Sequence, residues 1–397
     1  MLPACCCSSS GRAPSRYRRL SVSPIEVSLV TGAREKNAFI KFPWRIYRND
    51  PVWVPPLIIE RKAFLDRRRH PFYKHGDAAL FLARRNAEIV GRIMASDDPN
   101  YNSLYESNTG CFGLFECIDD VEVAAALFKT AADWLRTRGR VEIMGPIDYS
   151  TNYVCGLLID GFEHPPTLLT SHNPPYYAKL IEHSGFTKAK DWYAWWFTEF
   201  PAPAQRLRKI AIARAGKLGV RIRQINLKKI EEEGQRIRTV YNQAWEKNWG
   251  FVPFTEAEAD HMAHELKQLI IPQTTLIAEI GDRPVGFVIG VPDINVALRK
   301  INGRLTTFAL PIGLIRLLYY QRKIRTGRLI ALGVVEEYRR SGVAEMLVLR
   351  LMDEALSRGF TGELSMTLED NVMVNRFIEA MGAKHYKTYR IYHRPIA

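Results

Sequence analysis

The sequence predicts an α+β protein of two similar halves, each a mixed, mainly antiparallel sheet flanked by helices. Apolar segments of strand length on either side of a short polar turn indicate hairpins at 78–95 and 274–290. Each hairpin is followed by further strand segments and by apolar residues at helical spacing, most clearly at 121–138 and 345–356. Hairpins combined with alternating strands and helices are typical of the α+β class.

The two halves are related by an internal repeat. The helix end and turn at 180–186 (LIEHSGF) resemble those at 377–383 (FIEAMGA), and the helix end at 135–139 (LRTRG) resembles that at 355–359 (ALSRG). The repeated segments occur in the same order and at similar spacing, which is the signature of a duplicated structural unit. Each half is therefore expected to fold in the same way.

Composition limits the class of protein. Of 397 residues, 47% are hydrophobic and 25% are charged, which is ordinary for a globular protein with a large core. The net charge of +14 favours an anionic partner: a CoA-type cofactor, an anionic membrane face or nucleic acid. No nucleic-acid motif occurs, so nucleic acid is not expected. The cysteines, at 5, 6, 7, 111, 117 and 155, lack metal-ligand spacing, so we expect reduced thiols, no metal and a cytoplasmic protein.

Three regions are expected along the chain. The tail, 1–24, is rich in Cys, Ser and Arg without the apolar segment of a secretory signal, and we expect it to be disordered. The first domain spans 25–199 and the second 200–397, because Pro201 and Pro203 mark a linker after which the same order of elements begins again. No run reaches the roughly 18 apolar residues of a membrane-spanning helix.

In the first half, β-branched and aromatic residues bounded by Gly, Pro and polar residues mark the strands. Apolar residues three or four positions apart mark the helices. The predicted strands are 25–30, 78–84, 88–95, 111–116, 141–146 and 192–197, and the predicted helices are 37–47, 60–69, 121–138 and 173–185. The segment 158–170 is predicted as a loop.

The second half repeats this order. The predicted strands are 220–225, 274–279, 285–290, 329–332, 363–368 and 389–392, and the predicted helices are 231–245, 256–269, 345–356 and 371–381. The strand at 329–332 leads into a basic, glycine-containing turn at 333–344 and then into a helix. Free N–H groups of such a turn, together with the helix dipole, form an anion site, and Arg339 and Arg340 add charge. Diphosphate suits this site, although a solvated turn is the alternative for so short a motif.

The spacing Arg339-x-x-Gly342-x-Ala344 resembles the CoA pyrophosphate loop of the GNAT superfamily of N-acyltransferases, whose pattern is Arg/Gln-x-x-Gly-x-Gly/Ala. The order of elements also resembles the GNAT fold, so the resemblance implies two GNAT-like domains covering nearly everything after residue 25. It implies acyl-CoA as co-substrate, held by Leu332, Gly333, Val334, Arg339, Arg340, Ser341, Gly342, Val343, Ala344 and Asn371.

The corresponding turn of the first half, 116–122, has no such pattern and carries four acids, Glu116, Asp119, Asp120 and Glu122. Because carboxylates repel a diphosphate, we expect one cofactor site, in the second half. The first half then shapes the acceptor side or is purely structural.

The resemblance also implies catalytic roles. The N–H of Val334 would polarise the thioester carbonyl and stabilise the oxyanion. The tyrosine that protonates the departing thiolate in the family falls on Ile378, which removes the usual general acid. Glu369 is a candidate base at the end of the strand 363–368, although a helix N-cap at the neighbouring Asp370 is the alternative.

The segment 241–255 is dense in aromatic and amide side chains, and in the family it walls the acceptor site. Glu246 is a second candidate catalytic carboxylate. Asn248, Trp249 and Phe251 are candidate substrate-binding residues, with an aromatic loop packed on the core as the alternative.

About thirty residues are inserted before the strand at 329–332. Their apolar body at 305–325, with two tyrosines and a basic flank, suits an interfacial segment on an anionic membrane leaflet, and it is also expected to cover a long acyl chain. A buried inter-domain helix is the alternative.

Together with the tandem halves and the loop 248–253 (NWGFVP), the insertion resembles the bacterial branch of GNAT-like proteins that includes the bacterial ceramide synthases. This resemblance implies transfer of a long acyl group to a sphingoid base at the inner membrane surface. We expect the neutral amine to attack the thioester directly, without an acyl-enzyme, and we discount Cys155 as a nucleophile because it lies in the half without the cofactor turn. A soluble N-acetyltransferase and a non-catalytic CoA-binding module remain as rivals.

Overall fold

A computed structural model describes residues 23–199, 209–210, 213–214 and 218–396 of the chain. The predicted tail, apart from its last two residues, and the prolines of the predicted linker lie outside the described residues. Within the described part, all thirteen strands belong to one mixed, mainly antiparallel sheet. The predicted α+β class is confirmed, but the separate sheets expected for the two halves are joined into one through β13 and β7.

The first half follows the predicted order of elements. Its one unpredicted strand, Leu157–Asp160, lies in the expected loop and pairs with the last strand of the chain, a partner that the local sequence does not reveal. In chain order the elements are β1 Ile25–Leu29, α1 Ala33–Lys41, α2 Pro43–Ile46, α3 Ile58–Phe64, β2 Asp77–Arg85, β3 Glu88–Asp97, α4 Pro99–Tyr105, β4 Thr109–Cys117, α5 Val121–Arg136, β5 Glu142–Gly145, β6 Leu157–Asp160, α6 Tyr177–His183 and β7 Thr187–Phe197.

The second half repeats these elements and adds two helices in the insertion. They are β8 Arg221–Gln224, α7 Ile230–Trp245, α8 Glu256–Leu266, β9 Thr275–Ile280, β10 Arg283–Pro292, α9 Asn295–Leu298, α10 Ile312–Gln321, β11 Thr326–Val334, α11 Val343–Ser357, β12 Thr361–Leu368, α12 Val372–Ala380 and β13 Lys384–Pro395. Thr255 and Glu258 form a capping box that fixes the start of α8.

The strand order confirms the internal repeat and adds an exchange that the sequence did not predict. The order is β1-β2-β3-β4-β5-β13-β7-β12-β11-β10-β9-β8, so the two halves of the sheet mirror each other. The last strand of the chain completes the first half, with Tyr392 opposite Gly145, and β7 completes the second, with Tyr193 opposite Thr367. Strand pairing therefore crosses the predicted boundary at residue 199, and the division into two domains stays a prediction.

Each half contains a pair of parallel strands that separate. β4 pairs with β5 only at 109–111, and β11 pairs with β12 only at 326–328. A bulge interrupts the antiparallel pairing of β4 with β3 and that of β11 with β10. The fold therefore forms two equivalent openings in the sheet.

Candidate active site

The opening of the second half leads into a cavity of about 970 Å³ bounded by β11, β12, α7, α8, α12 and the loop after α7. This volume lies at the upper end of the range for small-molecule sites, roughly 300–1,000 Å³. Most of the predicted site residues line it, namely Leu332, Val334, Arg339, Arg340, Ala344, Asn248, Trp249, Phe251 and Asn371.

The predicted anion turn has the required backbone geometry. Gly342 occupies the N-cap position of α11 with φ of 87°, a left-handed conformation that strains any residue with a side chain. The following N–H groups, beginning with buried Val343, start a fifteen-residue helix and point toward the turn. The Arg339 guanidinium donates to the Ala244 carbonyl at 2.6 Å, and the Ser341 hydroxyl donates to the Tyr338 carbonyl, so both side chains brace the turn.

Strand β11 is held from the side of α7. The Trp245 indole N–H donates to the Leu332 carbonyl at 3.2 Å. A Cβ added to Gly333 would lie 2.7 Å from a ring carbon of Phe287, so packing against Phe287 already requires a glycine here. The glycine is therefore explained without the cofactor contact that the resemblance implies for Gly333.

The two candidate carboxylates do not line the cavity. Glu246 is exposed at the C-terminal end of α7. Glu369 accepts hydrogen bonds on both oxygens, from Lys188 at 2.6 Å and from the Asp191 N–H at 3.1 Å, and so ties β12 to β7. The geometry favours a structural role for Glu369 over that of a base.

The last helix begins at the expected place. Asn371, not Asp370, is the N-cap residue of α12, and its side chain makes no capping hydrogen bond. Asp370 instead pairs with Lys190 at 2.8 Å, and the hydrogen bond from Lys190 lowers the pKa of the Asp370 carboxyl. Ile378 lines the cavity, so an apolar side chain stands where the resemblance implies a tyrosine.

The aromatic loop after α7 both lines the cavity and packs on the core. Phe251 is buried, with its ring centroid 5.7 Å from that of Tyr241. The Trp249 ring lies 5.9 Å from the Lys190 ammonium. The loop therefore lines the cavity and also packs on the core, and its role as an acceptor wall stays a prediction.

Sequence reasoning did not identify which residues of the first half reach the cavity. Thr151, Asn152 and Tyr153 line the cavity from a loop that follows β5. The Tyr241 hydroxyl donates to the Asn152 side-chain carbonyl at 2.9 Å, and the Tyr153 hydroxyl donates to Glu258 at 3.1 Å. Burial raises the pKa of both tyrosines. The density of aromatics at 241–255 was the available signal, but nothing in the sequence linked it to residues some ninety positions earlier.

Cys155 also lines the cavity, which was not expected for a residue of the first half. Burial, followed by the charge of Asp148, raises the pKa of the Cys155 thiol to about 12. Because the thiolate is the nucleophile, this environment opposes an acyl-enzyme on Cys155. The predicted direct attack of the amine is consistent with that chemistry.

One arm of the cavity is apolar. It runs between α7, α8 and the sheet, and polar groups are sparse along it. Its lining includes Ile225, Ile230, Ile237, Ala259, Met262, Ala263, Leu266, Ile270 and Ile289. A site for an acetyl group alone does not need such an arm.

A sheet opened between two parallel strands, with an anion turn at the following helix, defines an acyltransferase of the GNAT type. The family model described as "Acetyltransferase (GNAT) family" matches residues 235–383, which contain most of the cavity lining. The chain belongs to this family and is an acyltransferase. It is 38% identical to Protein YghO of Escherichia coli (strain K12), covering 90% of this chain and 92% of that protein. It is 35% identical to the bacterial ceramide synthase of Caulobacter vibrioides, covering 95% and 98%.

Solved structures support the fold. A tandem GNAT protein from the clavulanic acid biosynthesis pathway matches with a TM-score of 0.56 at 11% identity, covering 94% of this chain and 99% of that one. A fungal glucosamine N-acetyltransferase region matches with a TM-score of 0.56 at 14% identity, covering 94% and 38%. These matches confirm the tandem GNAT-like architecture.

Among the described residues, no helix combines the length and apolarity that crossing a membrane requires.

Proposed function

We propose that the protein transfers a long acyl group from acyl-CoA to the amine of a long-chain lipid, a sphingoid base, and so forms a ceramide-type amide. The apolar arm of the cavity is the observation that carries this proposal. Each buried methylene contributes about 0.8 kcal/mol, so such an arm favours long chains over acetyl. The 35% identity to a bacterial ceramide synthase over nearly the whole chain supports the same acceptor class.

The residues have distinct roles in this proposal. The N–H groups that begin α11 and the Arg340 guanidinium bind the diphosphate of acyl-CoA. The pantetheine lies beside β11, where Leu332 and Val334 face the opening. The Val334 N–H stabilises the negative charge that develops on the thioester oxygen. Asn371, Asn248 and Trp249 line the space left for the two substrates.

The reaction is a direct displacement. The lone pair of the neutral amine forms the C–N bond, and the C–S bond breaks with its electron pair leaving on sulfur. A thiolate leaves without a general acid because its conjugate thiol has a pKa near roughly 8.5. Glu246 and Glu369 lie off the cavity lining, and Asp370, which does line the cavity, is paired with Lys190. We therefore propose that the amine proton passes to water.

Chain-length selectivity tests the proposal. Purified enzyme is incubated with sphinganine and either palmitoyl-CoA or acetyl-CoA, and the amide is measured by mass spectrometry. Palmitoyl transfer is expected to exceed acetyl transfer, and Ala263→Phe, which fills the apolar arm, is expected to abolish this preference. His264→Phe changes the adjacent exposed position of α8 and serves as the matched control.

The GNAT match also supports a second function, N-acetylation of a small amine or peptide. Faster turnover of acetyl-CoA than of palmitoyl-CoA, with a small amine as acceptor, would select this function instead. Because the proposed acceptor is a membrane lipid, we also propose that the reaction takes place at the inner membrane surface.

A further inference from the structure

The insertion between β10 and β11 presents a large apolar surface to solvent. Phe308 is 93% exposed, Ile315 63% and Leu310 58%. Ile312, Leu314, Leu318 and Tyr319 of α10 are also exposed, and Gly313 is the buried residue of that helix. We call these seven side chains the apolar face. Apolar patches of this kind mark contact surfaces, because exposing them to water is unfavourable.

The apolar face belongs to a well-anchored segment. Ile294, Ala297 and Ile324 form a buried core on its inner side, against which Leu317 and Tyr320 of α10 pack. The Trp44 indole donates to Asn302 at 2.7 Å, and the Ile58 N–H donates to the Gly303 carbonyl at 3.0 Å. The inner side is thus already packed, whereas the outward side chains are left exposed among the described residues.

The charged residues of the insertion all have the same sign. Residues 294–335 contain no aspartate or glutamate. They contain eight basic residues, of which all but Arg328 are exposed: Arg299, Lys300, Arg304, Arg316, Arg322, Lys323 and Arg325. An apolar surface on a segment whose charged side chains are all positive matches an anionic lipid layer, whose head groups are negative and whose interior is apolar.

We propose that the apolar face docks this protein onto an anionic phospholipid bilayer. Helix α10 has ten residues and is about 15 Å long, half of the roughly 30 Å hydrocarbon core, so it lies in the interface rather than across it. The apolar side chains enter the head-group region while the basic side chains contact lipid phosphates. A second copy of the chain is disfavoured as the occupant, because two such faces would bring like charges together.

The position of the apolar face connects docking to the cavity. The inner core of the insertion also contains Leu168 and Leu269, whose neighbours Leu169 and Ile270 line the cavity. Residues that line the cavity are therefore direct sequence neighbours of residues that pack beneath the insertion, so the cavity lies close to the side of the molecule that we assign to the membrane. Delivery of a lipid substrate by this route rests on the proposed function, whereas docking itself does not.

Vesicle flotation tests the docking. The full chain is mixed with vesicles of phosphatidylcholine alone or of phosphatidylcholine with phosphatidylglycerol, and we expect flotation with the anionic vesicles. Phe308→Ser combined with Ile315→Ser and Leu318→Ser is expected to abolish it. Leu29→Ser combined with Val141→Ser removes exposed apolar side chains elsewhere and is the matched control, expected to float like the wild type.

Substitutions of basic residues separate the electrostatic contribution to membrane binding from the apolar contribution. Arg316→Gln with Arg322→Gln and Lys323→Gln is expected to weaken binding roughly a hundredfold, since each basic residue near the surface contributes on the order of a fivefold factor. Lys228→Gln with Lys267→Gln, at exposed positions outside the insertion, is the charge control. Circular dichroism and thermal unfolding check that every variant is folded.

The possible results distinguish docking from catalysis. If wild-type protein fails to float with anionic vesicles but acylates sphinganine in detergent micelles, the docking proposal is wrong and the proposed function stands. If it floats but acylates no amine, docking stands and the function is wrong. If the serine variants lose self-association in sedimentation instead of vesicle binding, the apolar face contacts a second copy and the membrane assignment is overturned.

Discussion

The two openings of the sheet are built alike but filled differently. In the first half the chain itself enters the opening: the Ile147 N–H donates to the Phe112 carbonyl at 2.7 Å, and the Leu114 N–H donates to the buried Asp148 carboxylate at 3.0 Å. In the second half the equivalent strand, β11, borders a cavity of about 970 Å³. One opening is closed by a loop of its own half, and the other is free for a ligand.

The turns beside the two openings differ in the same sense. In the first half, the Asp120 carboxylate accepts from the N–H groups of Glu122 and Val123 at the start of α5 and pairs with Arg85 at 2.7 Å. A side-chain anion thus already occupies the helix N-terminus. At the start of α11, Gly342 supplies no side chain, which leaves the N–H groups for an external anion. The comparison supports a single cofactor site, as predicted from the acidic turn.

The loop that closes the first opening also reaches the cavity of the second half. After Asp148 it supplies Thr151, Asn152 and Tyr153 to the cavity wall. The same loop therefore fills the opening of the first half and forms part of the cavity wall of the second half. This favours the predicted role of the first half in shaping the acceptor side over a purely structural one.

The largest expected effect comes from adding a carboxylate to the turn before α11, so that it resembles the turn before α5. Gly342→Asp adds a carboxylate and a Cβ at a left-handed position, so we expect CoA affinity to fall on the order of a hundredfold or more. Titration calorimetry with CoA measures this. Gly139→Asp is the control, because Gly139 is also left-handed, with φ of 75°, but lies in the turn that follows α5 and does not line the cavity. Equal CoA binding by the Gly342 variant would refute the anion site.

The next effect tests the contact between the halves. Tyr241→Phe removes the hydrogen bond to Asn152, which contributes roughly 0.5–1.5 kcal/mol, so we expect the KM for the amine to rise about threefold to tenfold. The KM for acyl-CoA should remain unchanged if this pair belongs to the acceptor side. Tyr73→Phe, which removes a hydroxyl bonded to Tyr149 within the first half, is the control.

The stability that Asp148 contributes, in the loop that closes the first opening, should depend on pH. Burial raises the pKa of Asp148 from 3.8 to about 6, so the folded chain binds this proton more tightly than the unfolded chain does. Its contribution to stability is present below about pH 4 and is lost as the pH rises through 6. We expect Asp148→Asn to be more stable than the wild type at pH 8, by on the order of 2 kcal/mol, with the difference vanishing near pH 4.

Urea unfolding of both proteins between pH 4 and pH 8 measures this difference. Asp133→Asn, at an exposed position of α5, is the control and should show no such trend. A difference that grows toward acid pH would mean that Asp148 is stabilised as a carboxylate, contrary to the expectation.

The smallest effect is expected at the two carboxylates outside the cavity. Glu369→Gln and Glu246→Gln should change kcat less than about threefold, because neither side chain lines the cavity, whereas loss of a general base typically costs a factor of 10² or more. The pH–rate profile of each variant is the measurement. A large loss in kcat with loss of the acidic limb would restore the corresponding residue as the base.

Much of the fold was predictable because its signals are local. Hairpins, helix caps and the repeated helix ends are encoded within ten residues or so, and the predicted elements recur in the structure with shifts of a few residues at their ends. The strand exchange was not predictable, since β7 and β13 have similar partners available in either half. The pairing of β6 with β13 could not be predicted from the sequence, for the same reason.

The candidate site divides in the same way. The motif Arg339-x-x-Gly342-x-Ala344 was sufficient to find the anion turn, because backbone conformation and charge at a turn are local properties. The placement of Glu369, bonded to Lys188 and Asp191, depends on the neighbour that the exchange gives to β12, and no local pattern reports it.

The sequence by itself determined that the chain has two similar α+β halves, one basic turn suited to a diphosphate, and an insertion with an apolar body and a basic flank. Each of these is a matter of residue type and spacing along a short stretch. Only the tertiary structure decided which opening is closed, that Asn152 and Tyr153 reach the other half's cavity, and that the body of the insertion faces solvent. These depend on contacts between residues far apart in the chain, whose geometry is set by packing of the whole sheet.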